Sequence, residues 1–130
     1  MNLNLLFDTH SFIWWADEPS KLSQAALAAL EDENNRLFVS DVSLWEMQIK
    51  VHLGKMKLKM TLEDLIESQQ RGNEVEILQI KTRHILALNN LPFHHKDPFD
   101  RLLIAQSLAE DFTIVTADSE FSAYPAKLLW

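Results

Sequence analysis

Short apolar runs recur along the chain, and each is followed first by polar residues and then by a segment with helical periodicity. The clearest run ends at Phe7 and is followed directly by Asp8. Apolar runs bounded by polar residues are typical of the buried strands of a parallel sheet, whereas apolar positions spaced by about 3.6 residues are typical of helices. The pattern predicts strands near residues 3–7, 37–40, 75–80 and 112–116, with a last short strand at 128–129.

Capping signals delimit the helices between these strands. The strongest is Asp97 followed by Pro98, because Asp accepts hydrogen bonds from the first turn and Pro suits the first helical position. Gly54 and Gly72 are typical helix ends. Ser23 is a candidate cap for the second helix, and Thr82 is a candidate cap for a shorter one. These signals predict helices over residues 9–17, 23–30, 42–53, 61–72, 82–88 and 98–110.

The alternation of strands and helices predicts the fold class. Such strands pair in parallel through right-handed crossovers. We therefore expect an α/β fold, a three-layer α/β/α sandwich with a central, mainly parallel sheet of four to five strands. The 130 residues suit one domain spanning 1–130, since no linker, repeat or low-complexity segment divides them.

Composition narrows the classes of function. The chain is 47% hydrophobic, which excludes an intrinsically disordered protein, and it has no cysteine, so a metal would be held by oxygen or imidazole. The formal net charge of −7 argues against non-specific nucleic-acid binding through bulk charge. No apolar run approaches the roughly 20 residues of a membrane span, and no secretory signal pattern occurs. We expect a cytoplasmic protein with no membrane partner.

Four acids occupy comparable places relative to the predicted elements. Asp8 follows the first strand and Asp118 follows the fourth, while Glu46 and Asp100 lie on helices. Ligands of open parallel sheets bind at the carboxyl ends of the strands, so all four could line one edge. Carboxylates gathered there would repel each other unless divalent cations neutralised them. One or two Mg²⁺ or Mn²⁺ ions would do so, and could also activate water for phosphodiester hydrolysis.

Each acid also has a purely structural interpretation. Asp8 or Asp118 could cap a helix, and Asp100 could complement a helix dipole. Glu46 could be the capping-box partner of Ser43 or could form an ion pair with Lys50 one turn later. The shared location of the four acids, rather than any one of them, favours a functional site.

Other residues are weaker candidates for a catalytic or binding role. Thr9 and Thr116 carry hydroxyls near the predicted site but are typical caps or strand residues. His94 and His95 could approach a substrate phosphate but fit a solvated turn better. The lysine-rich segment 50–59 could follow a nucleic-acid backbone or form an ordinary solvated surface. The four tryptophans are more typical of cores and interfaces than of base-stacking platforms.

Four stretches, taken in order, resemble the PIN-domain ribonucleases, in particular the VapC-type toxins of bacterial toxin–antitoxin pairs. The resemblance spans essentially the whole chain. It is carried by residues 6–10, 39–46, 95–106 and 115–118.

The resemblance assigns the family's four catalytic, metal-binding acids to Asp8, Glu46, Asp100 and Asp118. Asp100 is preferred to Asp97 because the family's acid directly precedes the apolar, alanine-containing helix. The resemblance implies a Mg²⁺- or Mn²⁺-dependent endoribonuclease, a homodimer, and inhibition by a cognate antitoxin.

Three alternatives compete with a nuclease. A receiver-like Mg²⁺-binding phosphoacceptor domain would have paired acids after the first strand, and a haloacid-dehalogenase-like phosphatase would have an acid at position 10, where this chain has His10. A non-catalytic PIN-like interaction module would keep the fold but lack RNA turnover.

Overall fold

The computed structural model describes residues 2–130, in which five short strands alternate with six α-helices. The strands are β1 (Asn4–Phe7), β2 (Arg36–Ser40), β3 (Glu76–Leu78), β4 (Thr113–Val115) and β5 (Lys127–Leu129). The helices are α1 (Thr9–Asp17), α2 (Gln24–Glu31), α3 (Asp41–His52), α4 (Leu62–Gly72), α5 (Thr82–Leu86) and α6 (Pro98–Glu110).

The strands form one sheet in the order β3-β2-β1-β4-β5, and every pairing is parallel. The predicted α/β fold is therefore confirmed, with five strands. β1 lies at the centre, where Leu6 is in register with Phe38 of β2 and with Ile114 of β4. The carboxyl ends of β1, β2 and β4 consequently lie side by side at one edge of the sheet.

The core lies on both faces of the sheet. Alternate residues of β1 point to opposite faces, so Leu5 and Phe7 pack with side chains of α1, α2 and α4 while Leu6 packs against α6. Leu5, Leu6 and Phe7 are all fully buried. This sandwiching explains why the strand reads as an unbroken apolar run.

Most predicted caps are in place. Asp97 accepts hydrogen bonds from the first turn of α6, with Pro98 as its first residue, and Ser23 caps α2. The proposed cap at Thr82 is wrong: Lys81 is the N-cap of α5, and its backbone N–H donates to Nδ1 of His84 at 3.0 Å. A ring nitrogen at the third helical position thus takes the role that a Glu or Gln side chain has in a capping box.

The lysine-rich segment continues from the end of α3 into an exposed loop. Gly54 ends the helix in the left-handed region, with φ of +73°. In the loop, the Lys59 ammonium donates to the carbonyl oxygen of Asp17, while Lys55 and Lys57 are exposed. Among the described residues, no helix combines the length and apolar character needed to cross a membrane.

Candidate active site

Asp8 lies at the carboxyl edge of the sheet, between β1 and α1, and is 7% exposed. Its Oδ1 accepts a hydrogen bond from the Ser11 backbone N–H at 2.8 Å, which caps α1. Its Oδ2 accepts a hydrogen bond from the Thr116 hydroxyl at 2.6 Å. Burial raises the pKa of the Asp8 carboxyl, although these hydrogen bonds oppose the increase. Asp8 is therefore both the predicted cap and a buried acid.

Glu46 projects from α3 and is 6% exposed. Its Oε1 accepts a hydrogen bond from the Thr9 hydroxyl at 2.5 Å, and its Oε2 contacts the Lys50 ammonium at 2.8 Å. The predicted ion pair is present, but it does not exclude a functional role because the carboxylate also faces the start of α1. Thr9 and Thr116, which we expected to be only caps or strand residues, each orient a carboxylate.

Asp100 is held in the first turn of α6, beside the Asp97 cap. Burial, and then the negative charges of Asp97, Glu46 and Asp8, raise its pKa to about 7, while His95 acts in the opposite direction. Because these groups shift the titration of Asp100, the acids act on one another through a common electrostatic field. Asp8, Glu46 and Asp100, predicted from three separate stretches of sequence, are thus brought together.

Asp118 follows β4 and is exposed. Its Oδ1 accepts a hydrogen bond from the Glu120 backbone N–H, so it caps the short 3-10 helix that follows. Its own backbone N–H donates to the Thr116 hydroxyl at 3.0 Å. Single ligand atoms of Asp118, Asp100 and His95 lie within 4.8 Å of one another. Asp118 therefore closes the cluster while also acting as a cap.

His95 is the site residue that sequence reasoning undervalued. It was expected in a solvated turn, but its side chain is only 11% exposed. Its Nε2 lies 2.9 Å from Oδ2 of Asp100 and 3.0 Å from Oε2 of Glu120. Neither contact has hydrogen-bond geometry, and within residues 2–130 the Nε2 atom has no hydrogen-bond partner. His95 thus presents a buried nitrogen to the acidic cluster.

Tyr124 and Arg101 hold the loop that carries His95. The Tyr124 hydroxyl oxygen accepts hydrogen bonds from the backbone N–H groups of His94 and His95, at 3.1 and 2.8 Å. Arg101 is 8% exposed and donates to the same hydroxyl at 3.2 Å and to the Pro92 carbonyl at 2.8 Å. These partners are more than 20 residues from Tyr124 in sequence, so no local pattern could have identified them.

The donor set fits a hard divalent cation. It consists of carboxylate oxygens with one imidazole, and the chain has no thiolate. Oxygen ligands are those that Mg²⁺ and Mn²⁺ prefer. The raised pKa of Asp100 has the same implication, since crowded carboxylates are stable as anions only when positive charge neutralises them.

A cavity of about 310 Å³ adjoins this cluster. Asp8 and Asp118 form its acidic wall, and His10, Trp14 and Ala117 complete its lining. The cavity places aromatic rings beside the carboxylates, so the site has both a place for cations and an apolar surface.

Comparison with known proteins gives consistent matches. The family model of the PIN domain matches residues 5–127. Ribonuclease VapC22 from Mycobacterium tuberculosis is 27% identical over 121 residues, covering 92% of this chain and 91% of that protein.

Solved structures have the same fold. VapBC2 from Rickettsia felis, bound to a DNA fragment from its promoter, matches with a TM-score of 0.74 and 18% identity, over 97% of both chains. VapBC-1 from nontypeable Haemophilus influenzae matches with a TM-score of 0.64 and 16% identity, over 97% of this chain and 96% of that one. With the family model covering nearly the whole sequence, the comparisons establish that this chain belongs to the PIN-domain family.

Proposed function

We propose that this protein is a divalent-metal-dependent endoribonuclease that acts as the toxin of a toxin–antitoxin pair. Its membership of the PIN family supports the fold and the type of site. The curated relative is named a ribonuclease, and the similar structures are VapBC complexes.

The observation that carries the proposal is the convergence of the acids at one edge of the sheet, where ligand atoms of Asp100, Asp118 and His95 lie within 4.8 Å of one another. Asp100 lies close enough to Asp8 and Glu46 for their charges to raise its pKa to about 7. A protein without a ligand for this cluster would gain stability by replacing one of the acids, because mutual repulsion opposes folding. The presence of all of them is typical of a site that binds positive charge.

Asp8, Glu46, Asp100 and Asp118 would hold Mg²⁺ or Mn²⁺, with His95 against Asp100. A bound cation supplies Lewis acidity, which lowers the pKa of water and stabilises charge on the phosphodiester oxygens. The protein fixes the orientation of the carboxylates, commonly through hydrogen bonds from neighbouring residues to the ligating groups.

The hydrogen-bond partners of the acids explain how their geometry is kept. The Thr116 hydroxyl and the Ser11 backbone N–H fix both oxygens of Asp8. The Thr9 hydroxyl and the Lys50 ammonium fix both oxygens of Glu46. Each carboxylate oxygen of Asp8 and Glu46 already has one partner, so these carboxylates can rotate little. Each oxygen keeps a further lone pair that can bind a cation.

RNA as substrate, a cognate antitoxin and a homodimer form part of this proposal. The formal charge of −7 includes the acids of the site, so a bound cation would reduce the repulsion of RNA locally. Light scattering of the purified protein, alone and mixed with its cognate antitoxin, tests the dimer and the antitoxin complex. We expect a dimer mass and a stable hetero-complex, and a monomer that binds no antitoxin would contradict both.

Incubation of the purified protein with total RNA tests the nuclease directly. We expect discrete products in Mn²⁺ or Mg²⁺, none in EDTA, and recovery when the cation is returned in excess. Cleavage that persists in EDTA would contradict the metal site. Absence of products with either cation, across RNA from several sources, would favour a non-catalytic interaction module instead.

A further inference from the structure

Three aromatic side chains lie in a row beside the acidic cluster: His10, Trp14 and Trp130. The ring centroids of His10 and Trp14 are 5.8 Å apart, and those of Trp14 and Trp130 are also 5.8 Å apart. His10 and Trp14 are one turn apart on α1 and so share a helix face, while Trp130 follows β5. This aromatic row is therefore built where α1 meets the carboxyl edge of the sheet.

The middle ring of the aromatic row is anchored in the core, whereas the other two rings are exposed. Trp14 is half-buried and packs against the core cluster that contains Phe12 and Leu5. His10 is exposed, and Trp130 is 39% exposed. A ring held by the core loses little conformational freedom when a ligand binds, which favours stacking on the part of Trp14 that lines the cavity.

Two rings of the aromatic row share a cavity with two of the acids. His10 and Trp14 line the same space of about 310 Å³ as Asp8 and Asp118. A volume near 300 Å³ lies at the small end of ligand pockets, which suits one nucleotide unit rather than a folded segment. The carboxylates suit a cation-bridged phosphate, and the rings suit a flat, apolar group attached to it.

We propose that the aromatic row is a subsite for one unpaired nucleobase of the RNA substrate, next to the phosphate that is cleaved. The proposal rests on the proposed nuclease function and adds to it the residues that would hold and select a base of the substrate. A base inside a duplex is stacked on both faces and cannot offer one to Trp14, whereas an unpaired base can. The exposed nitrogens of His10 add a hydrogen-bonding edge through which one base would be preferred.

Binding of non-cleavable fragments tests the subsite without relying on turnover. The probes are the four ribonucleoside 5′-monophosphates and, as a base-free control, ribose 5-phosphate, each titrated calorimetrically in Mg²⁺. We expect at least one nucleotide to bind more tightly than ribose 5-phosphate. Trp14→Leu should remove that advantage, a loss of about five- to hundredfold, since base–aromatic stacking has that range.

Three further variants separate stacking from general damage. Trp14→Phe keeps an aromatic face and should keep the nucleotide preference, and His10→Ala, at an exposed position, should alter which base is preferred. Trp45→Leu makes the same change at a tryptophan that is 58% exposed on α3 and contacts Phe99, outside the cavity, and should leave binding unchanged. Unfolding temperatures establish that the variants are folded.

The outcomes distinguish this subsite from the nuclease function. Equal binding of nucleotides and ribose 5-phosphate by the wild type, including no binding of either, would overturn the subsite and favour a protein-binding role for the aromatic row. A preference that survives Trp14→Leu in a folded variant would also overturn it. Selective binding lost in Trp14→Leu, in a protein that cuts no RNA, would support the subsite but contradict the nuclease.

Discussion

Replacing Asp100 with asparagine should stabilise the metal-free protein while removing its response to metal. The site raises the pKa of this carboxyl from 3.8 to about 7. Above pH 7 the native protein must hold Asp100 ionised against burial and the charges of Asp97, Glu46 and Asp8, whereas the unfolded chain ionises it freely. The asparagine side chain would be neutral and nearly isosteric, so this unfavourable contribution would disappear.

The size of the effect follows from the pKa difference. One pKa unit corresponds to about 1.4 kcal/mol, so the full difference sets an upper limit of about 4 kcal/mol. The Asp100 side chain is 21% exposed and its contact with His95 is lost as well, so solvent screening reduces the expected gain to about 1–2 kcal/mol. The gain should depend on pH. At pH 5 the native carboxyl retains its proton, and only about a third of the effect remains.

Urea denaturation followed by circular dichroism measures this effect, in EDTA at pH 5 and pH 8 and then with Mn²⁺. In EDTA, raising the pH from 5 to 8 should lower the free energy of unfolding of the wild type more than that of Asp100→Asn. The reason is that the native wild type binds more protons than its unfolded chain in that range. Mn²⁺ should stabilise the wild type and leave Asp100→Asn nearly unchanged. Asp32→Asn, at an exposed acid, is the matched control. A destabilised Asp100→Asn protein at pH 8, or an equal gain in the control, would refute the reasoning.

Three other substitutions test separate parts of the account. Leu5→Asp places an unpaired charge in the fully buried central strand and should lower the free energy of unfolding by about 4 kcal/mol or more. Leu86→Asp, at a side chain that is 58% exposed, should change the free energy of unfolding by less than about 0.5 kcal/mol. Thermal melts compare the two, and a wild-type melting temperature for Leu5→Asp would contradict the burial of β1. Thr116→Val removes the hydroxyl that holds Asp8 and should weaken Mn²⁺ binding about 10- to 100-fold by calorimetry, unlike Thr113→Val in the preceding strand; equal affinities would show that the hydroxyl does not orient the acid. Ser23→Ala removes the cap of α2 and should lower the free energy of unfolding by about 1 kcal/mol. Ser20→Ala is the control, because the Ser20 hydroxyl caps no helix. Equal stability of the two variants would argue against the cap.

Local sequence patterns were sufficient to predict the elements of the fold. The apolar runs ending at Phe7 and Val39 marked strands because both faces of a parallel sheet are buried, and the Asp97-Pro98 pair marked the start of α6. The order of the strands could not be read in the same way. It depends on the side to which each crossover turns, and the runs themselves do not differ in a way that encodes this.

Local sequence patterns also predicted part of the candidate site. Asp8 directly follows β1 and Asp118 lies three residues after the end of β4, so the parallel topology alone brings them to one edge. His95 and its support by Tyr124 depend on contacts across 29 residues, which no periodicity reveals. The predicted helix over residues 9–17 places His10 and Trp14 one turn apart, but their position beside Asp118 follows only from the tertiary structure.

Cleavage of total RNA by matched variants tests the central claim most directly. The comparison sets the wild type and Asp32→Asn against Asp8→Asn and Asp100→Asn in Mn²⁺, with the 5′ ends of the products mapped by sequencing. The account predicts the same discrete products from the wild type and Asp32→Asn, and none from the two site variants, although both are folded. Wild-type turnover by folded Asp8→Asn and Asp100→Asn would contradict the assignment of the active site.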